Sequence, residues 1–573
     1  MFKLILIGIF LALCGALVNG EYLTVNTKSG PIVGVEQETF PNKVPYITFK
    51  GIPYAEAPIE DLRFKVPKPV KPWTEPLVTT DKFQPSCLWT GETEPSQSQS
   101  NQSENCLFLN IYTPVMDKIK TNKKLSVLMN IHGGGFAEGD GSDANYGPDF
   151  IVEENVILVS INYRLGPFGF ANFELEGYTG NMGLKDQREA LKWLKENIEY
   201  FGGDPDSITL FGQSSGGSAV HFHVLSDSCE YIKRAIMWSG DAFSSDAHYE
   251  KNNHVELLMD TFKDELGNQI SKKDLLNFMI NASADVIVKK TPQPSFRGFF
   301  EIYFSPVVEN KSIAVEPILT QTPHEIYAKN QFSPHCKNVE VSFGVTSAEF
   351  LLFLDFSDLY GWIEPLKNNS VVGIPYQALN ITEDNEAYKS MQADIKQFYF
   401  GDGEIQATPE RLNQYIQMGT DINFLPQLYE GIRLHSSVSP TYCNFFNISL
   451  NTNIVKVPLH LEMIEGMGHF EDIQYLFKAR DYSDMYNDVY KNQANNITDQ
   501  KTVDAWRFVT RLFADFAKTG SLEHSHPAKS TGDIQCVDIT NDGLRSIIQP
   551  KKEAIAFWDK IKENVKKYID DEF

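Results

Sequence analysis

Basic residues are in short supply in this 573-residue chain: 51 Lys and Arg stand against 75 Asp and Glu, a formal net charge of −24 at pH 7. So acidic a surface repels phosphate backbones and anionic headgroups, which excludes nucleic acid and charged membranes as partners. Long apolar runs are missing too, apart from Leu4 to Val18, which is too short for a membrane span. No apolar tail closes the chain, and Asp570-Asp-Glu-Phe573 is not an ER-retention tetrapeptide, so no stable membrane anchor or retention is expected. No Pro/Ser-rich linker, charge block or internal repeat divides the sequence. A length that suits roughly four domains is therefore read as one large domain with insertions, residues 21–573, after a leader at 1–20.

What is present points to a secreted, compact protein. Apolar residues make up 42 % and aromatics 12 %, ample for a large core. Lys3, the apolar run and the Val18-Asn19-Gly20 ending have the form of a secretory signal. Seven N-x-S/T sequons fit that route, at Asn101, Asn281, Asn310, Asn368, Asn380, Asn447 and Asn496. Of seven cysteines, Cys14 goes with the leader. Cys87 and Cys106 bracket a loop so polar that burial would stabilise it little, and a disulfide closing it is expected in an oxidising compartment. For Cys229, Cys336, Cys443 and Cys536 the sequence singles out no particular pairing.

Short alternating strands open the chain at 22–26 and 34–36, followed by an extended, Pro-punctuated stretch at 49–67. Strand-like runs recur at 107–112, 126–131, 156–163, 208–211, 234–238, 339–345 and 441–448. Residues 184–201 form an amphipathic helix with Leu184, Gln187, Leu191, Leu194 and Ile198 on one face and Lys185, Arg188, Glu189 and Lys192 off it. Helices are also expected at 500–517 and 551–569, and irregular helical insertions near 247–330 and 385–435. Strands alternating with helices predict an α/β fold with a mostly parallel sheet.

The stretch around Ser214 organises the rest. Ile208-Thr-Leu-Phe211 runs into Gly212-Gln-Ser214-Ser-Gly216, and Ser218-Ala-Val-His can open a helix. A G-x-S-x-G between strand and helix is the form of a nucleophile elbow, whose turn is too sharp for side chains at the flanking positions. Acyl transfer also needs a base, an acid to orient it, and donors for an oxyanion. Gly133-Gly134-Gly135 after a strand supplies donors, with the Ser215 N–H as a further one. Among twelve histidines, His469 stands on the Gly-rich turn Gly466-Met-Gly-His469, whereas His221, His223 and His460 fall inside periodic elements and His132 is tied to the glycine loop. Glu349 follows the strand at 339–345. The order Ser214, Glu349, His469 is that of α/β-hydrolases.

The chain resembles the type-B carboxylesterase and cholinesterase-like family over nearly all its mature length. Phe49-Lys-Gly-Ile-Pro-Tyr-Ala, Ser103-Glu-Asn-Cys106, His132-Gly-Gly-Gly-Phe, Asn162-Tyr-Arg-Leu-Gly, Gly180-Asn-Met-Gly-Leu-Lys-Asp-Gln and Gly344-Val-Thr-Ser-Ala-Glu carry the resemblance. It implies an α/β-hydrolase fold with no metal or cofactor and a small-molecule ester substrate. The implied triad is Ser214, Glu349 and His469, with an oxyanion hole from Gly134, Gly135 and Ser215. A Cys87–Cys106 disulfide and the ion pairs Arg63–Glu104 and Arg164–Asp186 are implied as well, and Glu349 is expected to stay ionised.

This chain departs from the family pattern at the elbow, where Gln213 and Ser215 replace the usual Glu and Ala. Gln213 is similar to insect juvenile hormone esterases. Phe350 replaces a Gly after the acid and is expected to shift Glu349. In cholinesterases a tryptophan about ten residues before the second loop cysteine faces the quaternary ammonium; here that position is Ser96, and the loop's one tryptophan is Trp89. The expectation is a secreted carboxylic-ester hydrolase for neutral, apolar esters. Its rivals are a dedicated juvenile hormone or pheromone esterase and a non-catalytic adhesion protein of the neuroligin-like branch, which commonly lacks the serine and adds a membrane span.

Overall fold

Residues 22–79, 84–89, 101–114, 124–244, 247–248, 253–267, 270–295, 302–367 and 386–571 are described by a computed structural model. The leader and the sequons at Asn368 and Asn380 lie outside them, as does Ser96.

A thirteen-stranded sheet runs through the molecule. Twelve of its strands are β1 (Tyr22–Asn26), β2 (Pro31–Glu38), β3 (Pro45–Pro53), β4 (Phe108–Pro114), β5 (Leu125–Ile131), β6 (Ile157–Ile161), β7 (Gly203–Gln213), β8 (Arg234–Trp238), β9 (Glu340–Thr346), β10 (Thr441–Asn447), β11 (Gln535–Thr540) and β12 (Gly543–Ile548). Their spatial order is β1-β2-β3-β4-β6-β5-β7-β8-β9-β10-β11-β12, and the two-residue strand Leu77–Val78 pairs with β2. From β6 to β11 every pairing is parallel, while β1–β4 and β12 add antiparallel edges. The central strands read as unbroken apolar runs because both faces are covered. Val127, Met129 and Ile131 of β5, with Ile208 and Leu210 of β7, enter one core, while Leu128, Phe211, Ile236 and Trp238 enter the other. A third apolar cluster, around Phe350, Leu351, Phe353 and Ile416, lies with the helices between β9 and β10.

Helix α1 (Met182–Asn197) carries its expected apolar face, but Lys185, Arg188 and Glu189 are buried as well. Lys185 Nζ meets Glu309 Oε1 at 2.7 Å, both side chains fully buried, and Glu309 also accepts from Thr179, Asn181 and the Ile318 N–H. A covering segment from the 247–330 region has turned a face expected to meet solvent into a second interface. Helix α2 (Ser215–Val224) follows β7 directly. The long helix α3 (Ile497–Thr519) is capped by Asn496, whose side chain accepts the Thr498 N–H at 2.9 Å, and it buries Val503, Trp506, Val509, Phe513 and Phe516 at three- and four-residue spacing. No helix among the described residues is long and apolar enough to cross a bilayer.

All six cysteines left after the leader are paired. Cys87–Cys106 closes the polar loop, and two further bonds, Cys229–Cys336 and Cys443–Cys536, join residues whose pairing the sequence left open. Cys443 and Cys536 lie opposite one another in the β10–β11 ladder, a juxtaposition that appears only once the strands are paired. The Cys87–Cys106 loop spans 19 residues. The chain-entropy model gives about 3 kcal/mol for closing it. The double variant Cys87→Ser/Cys106→Ser should therefore lose about that much in denaturant unfolding; an unchanged midpoint would contradict the assignment.

Candidate active site

The β7–α2 corner puts Ser214 where a regular strand or helix cannot. Its φ is +60°, ψ −133°, and its N–H donates to Trp238 O at 2.8 Å. A non-glycine residue there is strained, and the turn survives because its neighbours leave room for nothing else. A Cβ on Gly212 would sit 2.2 Å from Gly216 O, and one on Gly216 would sit 2.2 Å from Ile131 O. The two elbow glycines are thus required by backbone packed on backbone. Ser215 opens α2, so its unpaired N–H faces the corner at the positive end of the helix dipole.

His469 and Glu349 come together across 120 residues of chain. The His469 Nδ1–H donates to Glu349 Oε2 at 2.6 Å. The other carboxylate oxygen accepts the Thr346 N–H at 2.6 Å and the Ser239 hydroxyl at 2.6 Å. Two loops carry this pair and are tied to each other, with Ala348 N–H on Met467 O at 2.8 Å and Met467 N–H on Ser347 Oγ at 2.9 Å. Glu471, fully buried, accepts the Gly468 N–H at 2.7 Å and holds the histidine loop from the other side. The rings of Phe353 and Phe424 lie 5.1 and 5.4 Å from the imidazole and screen it from water.

The imidazole reaches the elbow through Gln213. With Nδ1 donating, Nε2 is the acceptor, and the Gln213 amide donates to it at 3.1 Å. Among the described residues Ser214 and His469 make no direct hydrogen bond, as is common before a substrate enters. Gln213 is 2 % exposed, so its amide and the imidazole share a dry environment. This contact couples the position that departs from the family pattern to the proposed base.

Gly134 (φ +106°), Gly135 (φ +59°) and Phe136 (φ +58°) make the facing loop. His132 is held to it by Nδ1 on Gly133 O at 2.8 Å, and burial pushes its pKa down to about 4. His223 donates its Nε2–H to Gln187 Oε1 at 2.8 Å and is pushed down to about 3 by burial, and His221 binds Tyr327. His460 is exposed. Of these histidines only His469 makes a side-chain hydrogen bond to an elbow residue, Gln213, among the described residues.

Phe350 is accommodated rather than displacing the acid. Its ring lies on Gly419, where a Cβ would meet it at 2.2 Å, and its N–H donates to Thr420 Oγ1 at 3.1 Å, while Glu349 keeps all three donors. The sequence also missed Asp472, three residues after His469. Burial, and then the nearby Glu349 carboxylate, push its carboxyl well above the usual range.

The two expected ion pairs frame the site. Arg63 binds Glu104 through two bonds of 2.6 Å and turns its third nitrogen onto the carbonyls of Met279, Ile280 and Ala282 at 2.7–3.0 Å, anchoring the helix that ends at Asn281. Arg164 grips buried Asp186 at 2.6 and 2.7 Å. Trp89 is buried beneath the glycine loop, its indole N–H on Gly139 O at 3.0 Å. The one grouping of metal-type ligands among the described residues, Cys229, Glu230 and Cys336, has its two sulfurs joined in a disulfide.

Comparison with known proteins agrees with this geometry. Residues 21–570 match the model of the carboxylesterase family. Esterase B1 of Culex pipiens is 29 % identical over 565 residues, covering 96 % of this chain and 99 % of the relative. The juvenile hormone esterase of Tribolium castaneum is 30 % identical over 471 residues, covering 79 % and 78 %. The solved juvenile hormone esterase of Manduca sexta, with OTFP covalently attached, superposes with a TM-score of 0.77 at 25 % identity over 95 % of this chain and all of that one. An α/β-hydrolase sheet, a serine elbow facing a glycine loop and a match along almost the whole length place this chain in the carboxylesterase family, as a serine ester hydrolase.

Proposed function

We propose that Ser214 attacks the ester carbonyl, with His469 as general base, Glu349 as its orienting acid, and the N–H groups of Gly134, Gly135 and Ser215 as the oxyanion hole. The observation that carries this reading is the chain of contacts from Glu349 through His469 to the elbow, 2.6 and then 3.1 Å. When the ester enters, the Ser214 hydroxyl takes the place of the Gln213 amide at His469 Nε2 and gives up its proton there. The tetrahedral oxygen settles between loop and helix terminus, the alcohol leaves with the proton from His469, and water repeats the cycle on the acyl-enzyme. Glu349 keeps the imidazole in the Nε2-acceptor tautomer and stabilises imidazolium as it forms.

The protein is proposed to be secreted and glycosylated. Four sequons, Asn101, Asn281, Asn310 and Asn496, are exposed, and Asn447 is half-buried at the end of β10. Neutral, apolar esters are the proposed substrates. A tryptophan face would stabilise a quaternary ammonium by roughly 0.5–2 kcal/mol, but Trp89 is buried and engaged with Gly139. The expected result is that kcat/KM for an uncharged thioester exceeds that for butyrylthiocholine of matched acyl chain. A tenfold advantage for the choline ester would contradict it. A dedicated juvenile hormone esterase is the second reading, favoured by Gln213 and by the named relatives. An ester panel that includes a juvenile hormone, aryl acetates and choline esters separates the two.

A further inference from the structure

Ser215 has a hydroxyl that the proposed reaction does not use. It stands where the family usually has alanine, it is 6 % exposed, and its side chain points away from Ser214 towards the glycine loop. There it accepts the Phe136 N–H at 3.3 Å, the only partner that N–H has among the described residues. Phe136 is a buried residue held at φ +58°, directly after the two oxyanion glycines, and its carbonyl accepts the Gly166 N–H at 2.7 Å. Without the Ser215 oxygen, a strained residue would carry a buried donor with nothing to bind.

The other end of the loop is held in a matching way. Tyr163 donates its phenol proton to His132 O at 2.8 Å, and its ring stacks on the His132 imidazole with centroids 4.3 Å apart. The Ser215 hydroxyl lies close enough to act on this phenol, which burial holds in its protonated, donating form. One hydroxyl therefore adjoins the tethers at both ends of His132–Phe136.

We propose that the Ser215 and Tyr163 hydroxyls together brace the glycine loop against helix α2 and set the width of the oxyanion hole. Both hydroxyls are positioning groups: neither touches a reacting atom, whereas the Ser215 N–H is itself one of the proposed oxyanion donors. The oxyanion donors sit on two walls, Gly134 and Gly135 on one and the Ser215 N–H on the other, and donors of this kind work only when fixed before charge develops. The brace joins those walls. It rests on the catalytic reading given above.

The test compares Ser215→Ala and Tyr163→Phe with the wild-type enzyme in three assays. These are ester hydrolysis, inhibition by a trifluoromethyl ketone whose hemiketal with Ser214 mimics the tetrahedral intermediate, and the pH–rate profile. In each variant kcat should fall about tenfold and ketone affinity should weaken by the same factor. KM should stay within about twofold and the acid limb should not move. The double variant should lose less than the product of the two single losses, and Ser215→Thr, which keeps the oxygen, should retain most of the wild-type rate. Variants that melt earlier but keep kcat and ketone affinity within about twofold would show a merely structural role and overturn the brace. If instead the wild-type enzyme takes up no organophosphate at Ser214, the catalytic reading falls, and the brace with it.

Discussion

Glu349→Gln should lower kcat by roughly 10³ to 10⁴ while leaving KM nearly unchanged and the fold intact. The reason lies in which atoms the new amide must satisfy. Oε1 of Glu349 accepts two donors, the Thr346 N–H and the Ser239 hydroxyl, each at 2.6 Å. An amide oxygen can take that place and an amide nitrogen cannot, so the glutamine turns its NH₂ towards His469 Nδ1. Nδ1 must then become an acceptor, which moves the ring proton to Nε2. That is the wrong tautomer for removing a proton from Ser214, and loss of the carboxylate also withdraws support from imidazolium. A drop of this size corresponds to about 4–5.5 kcal/mol of transition-state stabilisation. Steady-state kinetics beside a thermal melt check it. A variant within tenfold of the wild-type rate would mean that Glu349 is not the orienting acid.

Gln213→Glu should move the acid limb of the pH–rate profile upward by about one to two pH units. The Gln213 amide donates to His469 Nε2 at 3.1 Å, an arrangement in which Nε2 is an acceptor. A carboxylate at that distance reverses the roles: it accepts from the Nε2–H of imidazolium and attracts its charge, which raises the histidine's pKa. Only the neutral ring can act as base. Activity is therefore lost at a higher pH as the solution is acidified, and at any pH below the limb the variant runs slower by about tenfold for every pH unit the limb has moved. Both groups are buried, so salt should screen little of the effect. An unmoved limb in a folded variant would show that Gln213 and His469 are not coupled during turnover.

The site was more legible in the sequence than its surroundings, for a physical reason. A nucleophile elbow constrains five consecutive residues because backbone packs on backbone at Gly212 and Gly216, and so local a demand leaves a local pattern. The central strands were legible likewise, since burial on both faces makes them unbroken apolar runs. The edge strands β11 and β12 were missed: β12 is partly exposed, with mixed polar and apolar residues that carry little periodicity. Lys185 was misplaced because helical periodicity reports one apolar face and is silent about a salt-bridged second one, whose partner Glu309 is 124 residues away. Cys443–Cys536 was hidden in the same way, arising from strand order rather than from any nearby residue. Phe350 looked like a disturbance to Glu349 because the sequence does not reveal that Gly419 makes room for its ring.

The account's central claim, that Ser214 is the nucleophile, is tested most directly by one labelling measurement. Purified protein treated with an organophosphate and digested should carry a single adduct, on the peptide that contains Ser214, with esterase activity lost in proportion to labelling. Ser214→Ala should take up no label and show no residual turnover above the oxyanion-hole background. A label on Ser215 or Ser239, or near-wild-type activity in Ser214→Ala, would contradict the claim.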